Sequence, residues 1–388
     1  MTFIRKALFI TFFASLAPSS LAVVVNDLYS ATVEVVDQGR ATRQKGFSLA
    51  LAQVLIKTTG ALDIETRPGV DDALRRASDY MVKYAYLPQA PIELPLELAP
   101  EGLEGNEEGE ALSSSERGFP LSVQFAKVTI DGLMRKLDLP IWPANRPDLL
   151  VWVVEQTASG YRFIDSPDLP PDLQHSFQRR GLPFQLPLYD LNDQLALNPL
   201  AAWSLNQQQL ESAAKRYGVD HWLVLRYSQV ASGATRGSWY LAARNGSFTG
   251  EEAALNTLQV DSTGEFLSAS VDQVVDRFAR QMAFFADAEA DLFRLVVENI
   301  GSFTAFTQLN HFLAELEIVN SVKVRSIKGD SIVLDLATEG ESRVLLRALN
   351  KESRLSRVTD LSDDTPERFT KALPTTVSVE HFRWQAVR

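Results

Sequence analysis

Cysteine is absent from all 388 residues, which excludes disulfide staples, thiolate metal sites and thiol nucleophiles. Each folded unit must therefore hold itself together by burying apolar surface. Histidine is nearly as scarce. The four, at 175, 221, 311 and 381, lie far apart, and none has the spacing of a zinc site or of a His-Glu-x-x-His protease. Gly-x-Ser-x-Gly, Gly-x-Gly-x-x-Gly and phosphate-loop patterns are missing too. Positive charge is in deficit: 38 Lys and Arg stand against 49 Asp and Glu, a net charge of −11. That balance argues against nucleic acid as a partner. These absences lead to an expectation of no catalytic residues, no metal and no cofactor. After Ala22 no run approaches the roughly 18 apolar residues of a membrane span, so no transmembrane segment is expected.

What is present begins at the amino terminus. Arg5 and Lys6 precede an apolar run from Ala7 to Ala17, and Ser20-Leu21-Ala22 offers small residues for cleavage. This is the layout of a secretory signal peptide over residues 1–22, too short to serve as a membrane span. With no Cys after the run, a lipid anchor is excluded. The expected product is a periplasmic protein starting near Val23. Loss of Arg5 and Lys6 takes its net charge from −11 to −13.

A hydrophobic content of 45% with 22% charged residues is that of a globular protein, and the length calls for more than one domain. Residues 23–138 read as an α/β domain: a strand over Tyr29 to Val36, a helix over Thr42 to Thr58 stopped by Gly60, and a second helix opened by Pro68. Val70, Leu74, Ala77, Met81 and Tyr84 would form that second helix's apolar face, with Pro88 at its end. Residues 89–118 carry eight Glu, one Arg and the run Ser113-Ser114-Ser115. They read as an acidic loop, either solvated spacer or docking segment, because they bury too little to offset ordering entropy. A strand over Leu121 to Phe125 and a helix over Thr129 to Leu137 follow it.

Residues 139–288 alternate between strand and helix, which predicts a Rossmann-like α/β layer structure. The unbroken apolar run Leu149 to Val154 implies a strand covered on both faces. Helices are predicted over 172–180 and 206–217, with strands over 184–189, 221–227, 239–243 and 257–260. Asn245-Gly246 signals a hairpin, and a long helix is predicted over 265–286. Residues 289–388 read as β-α-β-β-α-β, the order of a ferredoxin-like domain. The fold class is thus α/β and α+β, in several domains.

Candidate chemistry is sparse. Ser212 to Lys215 matches Ser-x-x-Lys and Ser204 to Asn206 matches Ser-x-Asn, but in reversed order, which favours an exposed helix face over an acylating centre. Asp190 to Asp193 reads as a polar turn rather than a cation loop. His221, opening an apolar strand, reads as a buried imidazole rather than a lone metal ligand. The Trp142-to-Pro147 turn holds more promise. Pro147 keeps Arg146 out of helical geometry, and Trp142 is positioned to stack beside it. Trp142, Asn145 and Arg146 there either bind a carboxylate or phosphate, or lock the turn through internal pairing. Arg343, Arg347 and Lys351 form a basic stripe on a C-terminal helix, read as a dock for an anionic partner or lipid head groups, or as a solvated face.

Four segments together carry a family likeness: Ala52 through Gly60, Leu139 through Glu155, Arg180 through Asp190, and Arg216 through Arg226. With them, residues 25–290 resemble an uncharacterised domain-of-unknown-function (DUF) family of secreted Gram-negative proteins. Pro143 and Leu225 stand where that pattern has Gly. The segment from Arg216, the hairpin and the long helix also look like the amino-terminal module of TolB and the lipoprotein activators of penicillin-binding proteins. The resemblance implies binding or assembly in the cell envelope and no chemistry. The expected function is a non-catalytic binding or scaffolding component with an envelope protein partner and peripheral membrane contact. The alternatives are a protein that binds a small molecule or cell-wall fragment near Trp142, and a hydrolase with an unrecognised site.

Overall fold

The structure is a computed structural model that describes residues 22–23, 28–88, 118–165, 168–230, 233–244, 256–286, 291–358 and 378–385. The signal-peptide reading of residues 1–22 and the acidic loop over 89–118 lie outside the described residues except at Ala22 and Gly118, and the Asn245-Gly246 hairpin turn lies outside them too.

The chain enters with β1 (Ala22–Val23), β2 (Ser30–Val35) and α1 (Arg40–Thr59). The predicted stop at Gly60 is a left-handed cap with φ 72°, its amide donating to Ile56 O at 2.9 Å. A Cβ there would sit 2.7 Å from the Ala279 methyl and 2.9 Å from the Trp142 ring, so only glycine fits. The second helix differs from expectation. It is the short α2 (Val70–Arg75), followed by a 3-10 turn at Ala77–Asp79 and then by strand β3 (Met81–Tyr86). The apolar spacing from Val70 to Tyr84 fits a helix, yet Met-Val-Lys-Tyr-Ala-Tyr is rich in strand formers and finds a partner in β4 (Phe119–Phe125). Tertiary pairing overrides the periodicity. β2, β4 and β3 make a three-stranded antiparallel sheet, and α3 (Lys127–Lys136) follows it.

The middle of the chain contributes β5 (Leu149–Thr157), β6 (Gly160–Phe163), α4 (Pro171–Arg180) and β7 (Phe184–Gln185). Next come α5 (Leu191–Ala196), α6 (Pro199–Trp203), α7 (Gln207–Arg216), β8 (His221–Gln229), β9 (Thr235–Ala243), β10 (Asn256–Val260) and α8 (Thr263–Met282). The sheet runs β1-β7-β5-β8-β9-β10, with β6 also on β5. β7, β5 and β8 are parallel, and β9 and β10 are antiparallel. The apolar run of β5 does what its composition requires. Leu149, Val151 and Val153 pack with α4 and α8, while Leu150, Trp152 and Val154 pack with α6 and α7. The strand predicted over 184–189 is pared to two residues. The long helix ends at Met282 because Phe284 leaves it to exchange two backbone hydrogen bonds with Ile141, at 2.7 and 3.0 Å.

The last part runs β11 (Asp291–Glu298), α9 (Phe303–Glu315), β12 (Val319–Lys328), β13 (Ser331–Thr338), α10 (Ser342–Lys351), β14 (Leu355–Arg357) and β15 (Ser378–Trp384). Its order, β12-β13-β11-β15-β14, departs from the ferredoxin-like expectation at the end: β15 lies beside β11 in parallel, and β14 takes the edge. Apolar area accounts for which strand lies inside. β15 buries Phe382 and Trp384, whereas β14 buries Leu355 alone. The amino-terminal and carboxy-terminal layers share one apolar cluster, joined through Leu139, Ile141 and Phe284.

Candidate functional site

Two prolines, Pro143 and Pro147, bracket the turn that joins α3 to β5. The Trp142 amide donates to Thr58 O at 2.8 Å, which pins the turn to the last turn of α1. The Arg146 guanidinium lies 3.9 Å from the centre of the Trp142 ring, the stacking expected from sequence. Arg146 is only 3% exposed. Its Nη1 donates to Gly181 O and, at 3.4 Å, to Arg180 O; its Nη2 donates to Lys57 O. Longer contacts reach Pro143 O at 3.4 Å from Nε and Trp142 O at 3.5 Å from Nη2.

These acceptors are mostly helix ends. The Lys57 carbonyl belongs to the last turn of α1, and the Arg180 and Gly181 carbonyls close α4. Both would otherwise be orphans, and both present the negative end of a helix dipole to the cation. Among the described residues no carboxylate pairs with Arg146. Burial lowers its guanidinium to about 9, reinforced by Arg180 and opposed by Tyr29 and Glu317. It stays a cation at neutral pH. The internal-locking alternative for Arg146 is therefore what the hydrogen bonds form, through carbonyls.

The basic stripe divides. Arg343 stays in solvent against Glu341 at 2.8 Å. Arg347 instead donates to Gln281 O, near the carboxyl end of α8, and Lys351 donates to Arg146 O. The stripe is thus not one continuous docking face for head groups: Arg347 turns to a carbonyl near the end of α8, and Lys351 to a carbonyl of the Trp142 turn. Lys351 as a residue is exposed, but its ammonium lies among protein atoms. That burial lowers its pKa, with Asp148 and Asp220 acting the other way.

The turn and the end of α10 enclose a cavity of about 250 Å³, lined by Asn145, Arg146, Asp148, Gly181, Gln185 and Lys351 among others. Asn145 also borders a small gap of about 40 Å³ beside Trp142 and Arg347. The larger cavity touches Leu149 and Phe184, the first residues of β5 and β7. It therefore sits at the amino ends of the parallel strands. Open α/β sheets usually bind their ligands beyond the opposite, carboxyl ends, so this cavity is not at the customary place for the fold.

The other sequence candidates stand elsewhere. Ser212 and Lys215 are exposed on α7, and Lys215 lies 3.9 Å from Glu211. Asp190 caps α5 by accepting the Asp193 amide at 3.0 Å, and both carboxylates accept from Arg216, so this is the polar turn. Among the described residues no three His, Asp or Glu converge as metal ligands. His221 packs edge-on against Phe278, with ring centres 5.4 Å apart. Burial lowers its imidazole to about 4; Lys351 and Arg347 push the same way, Asp220 and Asp148 the other.

A pH dependence follows. Below its unfolded value near 6.5 the unfolded chain takes up a proton that the folded chain refuses until about 4. Stability is full above pH 6.5 and falls as pH drops from 6.5 to 4, by about 3 kcal/mol at most. Urea midpoints across that range will show the fall for the wild type and a flatter profile for His221→Gln. A His221 ring resonance titrating near 6.5 would contradict it.

Sequence reasoning missed Arg180, fully buried and held by Asp272 at 3.0 Å, by Asp276, and by Gly60 O at 3.0 Å. The available signal was the pair of aspartates four apart on α8. It also missed Lys57 and Gly181, whose part is played by backbone carbonyls that side-chain patterns do not encode.

No curated protein matches this chain. Of the segments that carry the family resemblance, Ala52 through Gly60 lies within the range that a family comparison covers, Leu139 through Glu155 only begins within it, and those at Arg180 and Arg216 lie beyond it. Residues 22–143, which run from β1 through α3 to the start of the Trp142 turn, match a family described as a domain of unknown function (DUF8605).

Proposed function

We propose that this chain is a non-catalytic binding protein of the bacterial cell envelope, exported to the periplasm by its leader, with the cavity at the Asn145–Asp148 turn as its binding centre. The observation that carries this reading is the cavity itself: about 250 Å³, with a largely apolar wall into which Asn145, Arg146, Asp148, Gln185 and Lys351 bring polar groups, at the turn that the sequence singled out for recognition. Of the readings drawn from sequence, it favours the binder of a small molecule or cell-wall fragment over the scaffold. In fold we read the middle unit (139–288) as a Rossmann-like layer extended by antiparallel strands, akin to TolB-type modules of secreted Gram-negative proteins. The carboxy-terminal unit (289–388) is a ferredoxin-like variant with an added edge strand. Among the described residues no helix is long and apolar enough to cross a membrane.

The test has two parts. Expression of the full chain with fractionation and amino-terminal sequencing should give a periplasmic product starting near Val23. That product, titrated with soluble muropeptides and with a panel of amino acids and sugars, should gain thermal stability with at least one of them. A ligand at a hundred times its Kd adds about 2.7 kcal/mol. Retention of the leader in the cytosol refutes the export reading, and an unchanged melting temperature throughout refutes the binding reading.

A further inference from the structure

We infer that the cavity beside Arg146 is a site for a small anion, one carrying a carboxylate or phosphate group, grasped by the Lys351 ammonium and the Asn145 amide. This rests on the binding reading above and names the chemistry of its ligand.

The argument starts from charge. Arg146 and Lys351 both line the cavity, and among the described residues neither has an ion-pair partner. The one carboxylate on the wall, Asp148, is exposed at the rim, where water screens it. The interior side is thus cationic within a chain of net charge −11, a local reversal of sign. Because Arg146 is 3% exposed, its field reaches the cavity through protein rather than water and is weakened less.

Donor capacity points the same way. The Arg146 N–H groups are turned to carbonyls, so Arg146 acts through its field and does not touch the ligand. The Lys351 ammonium has three N–H bonds and gives one to Arg146 O, which leaves two for a guest. The Asn145 side chain makes no hydrogen bond with the described residues and lines the same space. Its amide supplies neutral donors beside the charged ones. Size sets the upper bound. At about 250 Å³ the cavity falls below the 300–1,000 Å³ usual for drug-sized guests, so it fits a compact anion or the anionic tip of a larger molecule. A cationic guest would meet two positive groups with one screened carboxylate in return.

The experiment is calorimetric titration of the purified chain with inorganic phosphate, with succinate and with neutral N-acetylglucosamine. At least one anion should bind, more weakly as salt rises, and the sugar should not. Phosphate alone or succinate alone identifies which anionic group is taken. Lys351→Ala should weaken binding at least about tenfold through loss of a charge-assisted hydrogen bond. Asp148→Asn, at an exposed position, should tighten it about threefold and guards against a Lys351 variant that fails to fold. Sugar binding without anion binding overturns the anion assignment and leaves the binding reading standing. No binding by any of the three overturns the assignment, and the muropeptide and amino-acid titrations then decide the broader reading. Anion binding indifferent to both substitutions places the anion elsewhere and overturns this site.

Discussion

Arg146→Ala will cost about 4 kcal/mol of folding stability, the largest loss expected from a single substitution at the junction. Two effects add. The Lys57 and Gly181 carbonyls lose their closest donor, and each buried acceptor left unpaired costs about 1–3 kcal/mol. The space under the Trp142 ring also empties, which removes the stacking contact and opens a cavity. Removal of a buried cation recovers part of its desolvation cost, which keeps the total from rising further. For a chain of this size the melting temperature should drop by about 5 °C. Arg146→Lys should recover little, because a compact ammonium cannot reach carbonyls from two helices and stack on an indole together. Paired thermal and urea unfolding of both variants checks this. A loss under about 1 kcal/mol for the alanine variant would mean that the turn is held by Trp142 and the prolines alone.

The double substitution Asp272→Asn with Asp276→Asn should cost about 3–5 kcal/mol, more than its two single changes summed. Arg180 is fully buried, and those aspartates are its carboxylate partners among the described residues. Removing one leaves the other to balance the guanidinium. Removing both strands a charge in the interior with only the Gly60 carbonyl and the new amides to solvate it. Asp272 also holds the partly exposed Arg179 at 2.8 Å, a contact that adds little because water competes there. The sign of non-additivity is the diagnostic. A double-mutant cycle with independent, additive losses would show that Gly60 O and water suffice for Arg180.

Both predictions concern the same place, where the ends of α1, α4, α8 and α10 converge on one turn. Arg146 collects carbonyls from α1 and α4, Arg180 ties the α1 cap to α8, and Arg347 and Lys351 bring α10 onto α8 and the turn. A cavity at such a junction couples ligand binding to the packing of three parts of the chain. An occupied site would therefore stiffen more of the molecule than its own wall.

Parts of this were legible from residues alone. The apolar run of β5 announced cover on both faces because no polar position was left for water. The stacking of Arg146 on Trp142 followed from a proline-bracketed turn with three residues between ring and cation. The β3 segment was misread because its apolar residues fit a helical stripe. Its strand state depends on β4, which lies beyond the acidic stretch and supplies the hydrogen-bond partner. β15 was expected to close the last sheet, but whether it or β14 lies beside β11 depends on which strand buries more apolar area, a contest that local sequence does not decide.

By itself the sequence determined the element types wherever periodicity was strong, the lack of thiol chemistry, and the residue types able to hold an anion. Folding decided that Arg146 and Lys351, 205 positions apart, would meet. Local propensity acts over a turn or two of chain, whereas this encounter is set by which helix faces cover which sheet. It also decided that Arg146 would spend its hydrogen bonds on helix-end carbonyls, since only the assembled helices bring those acceptors to one point.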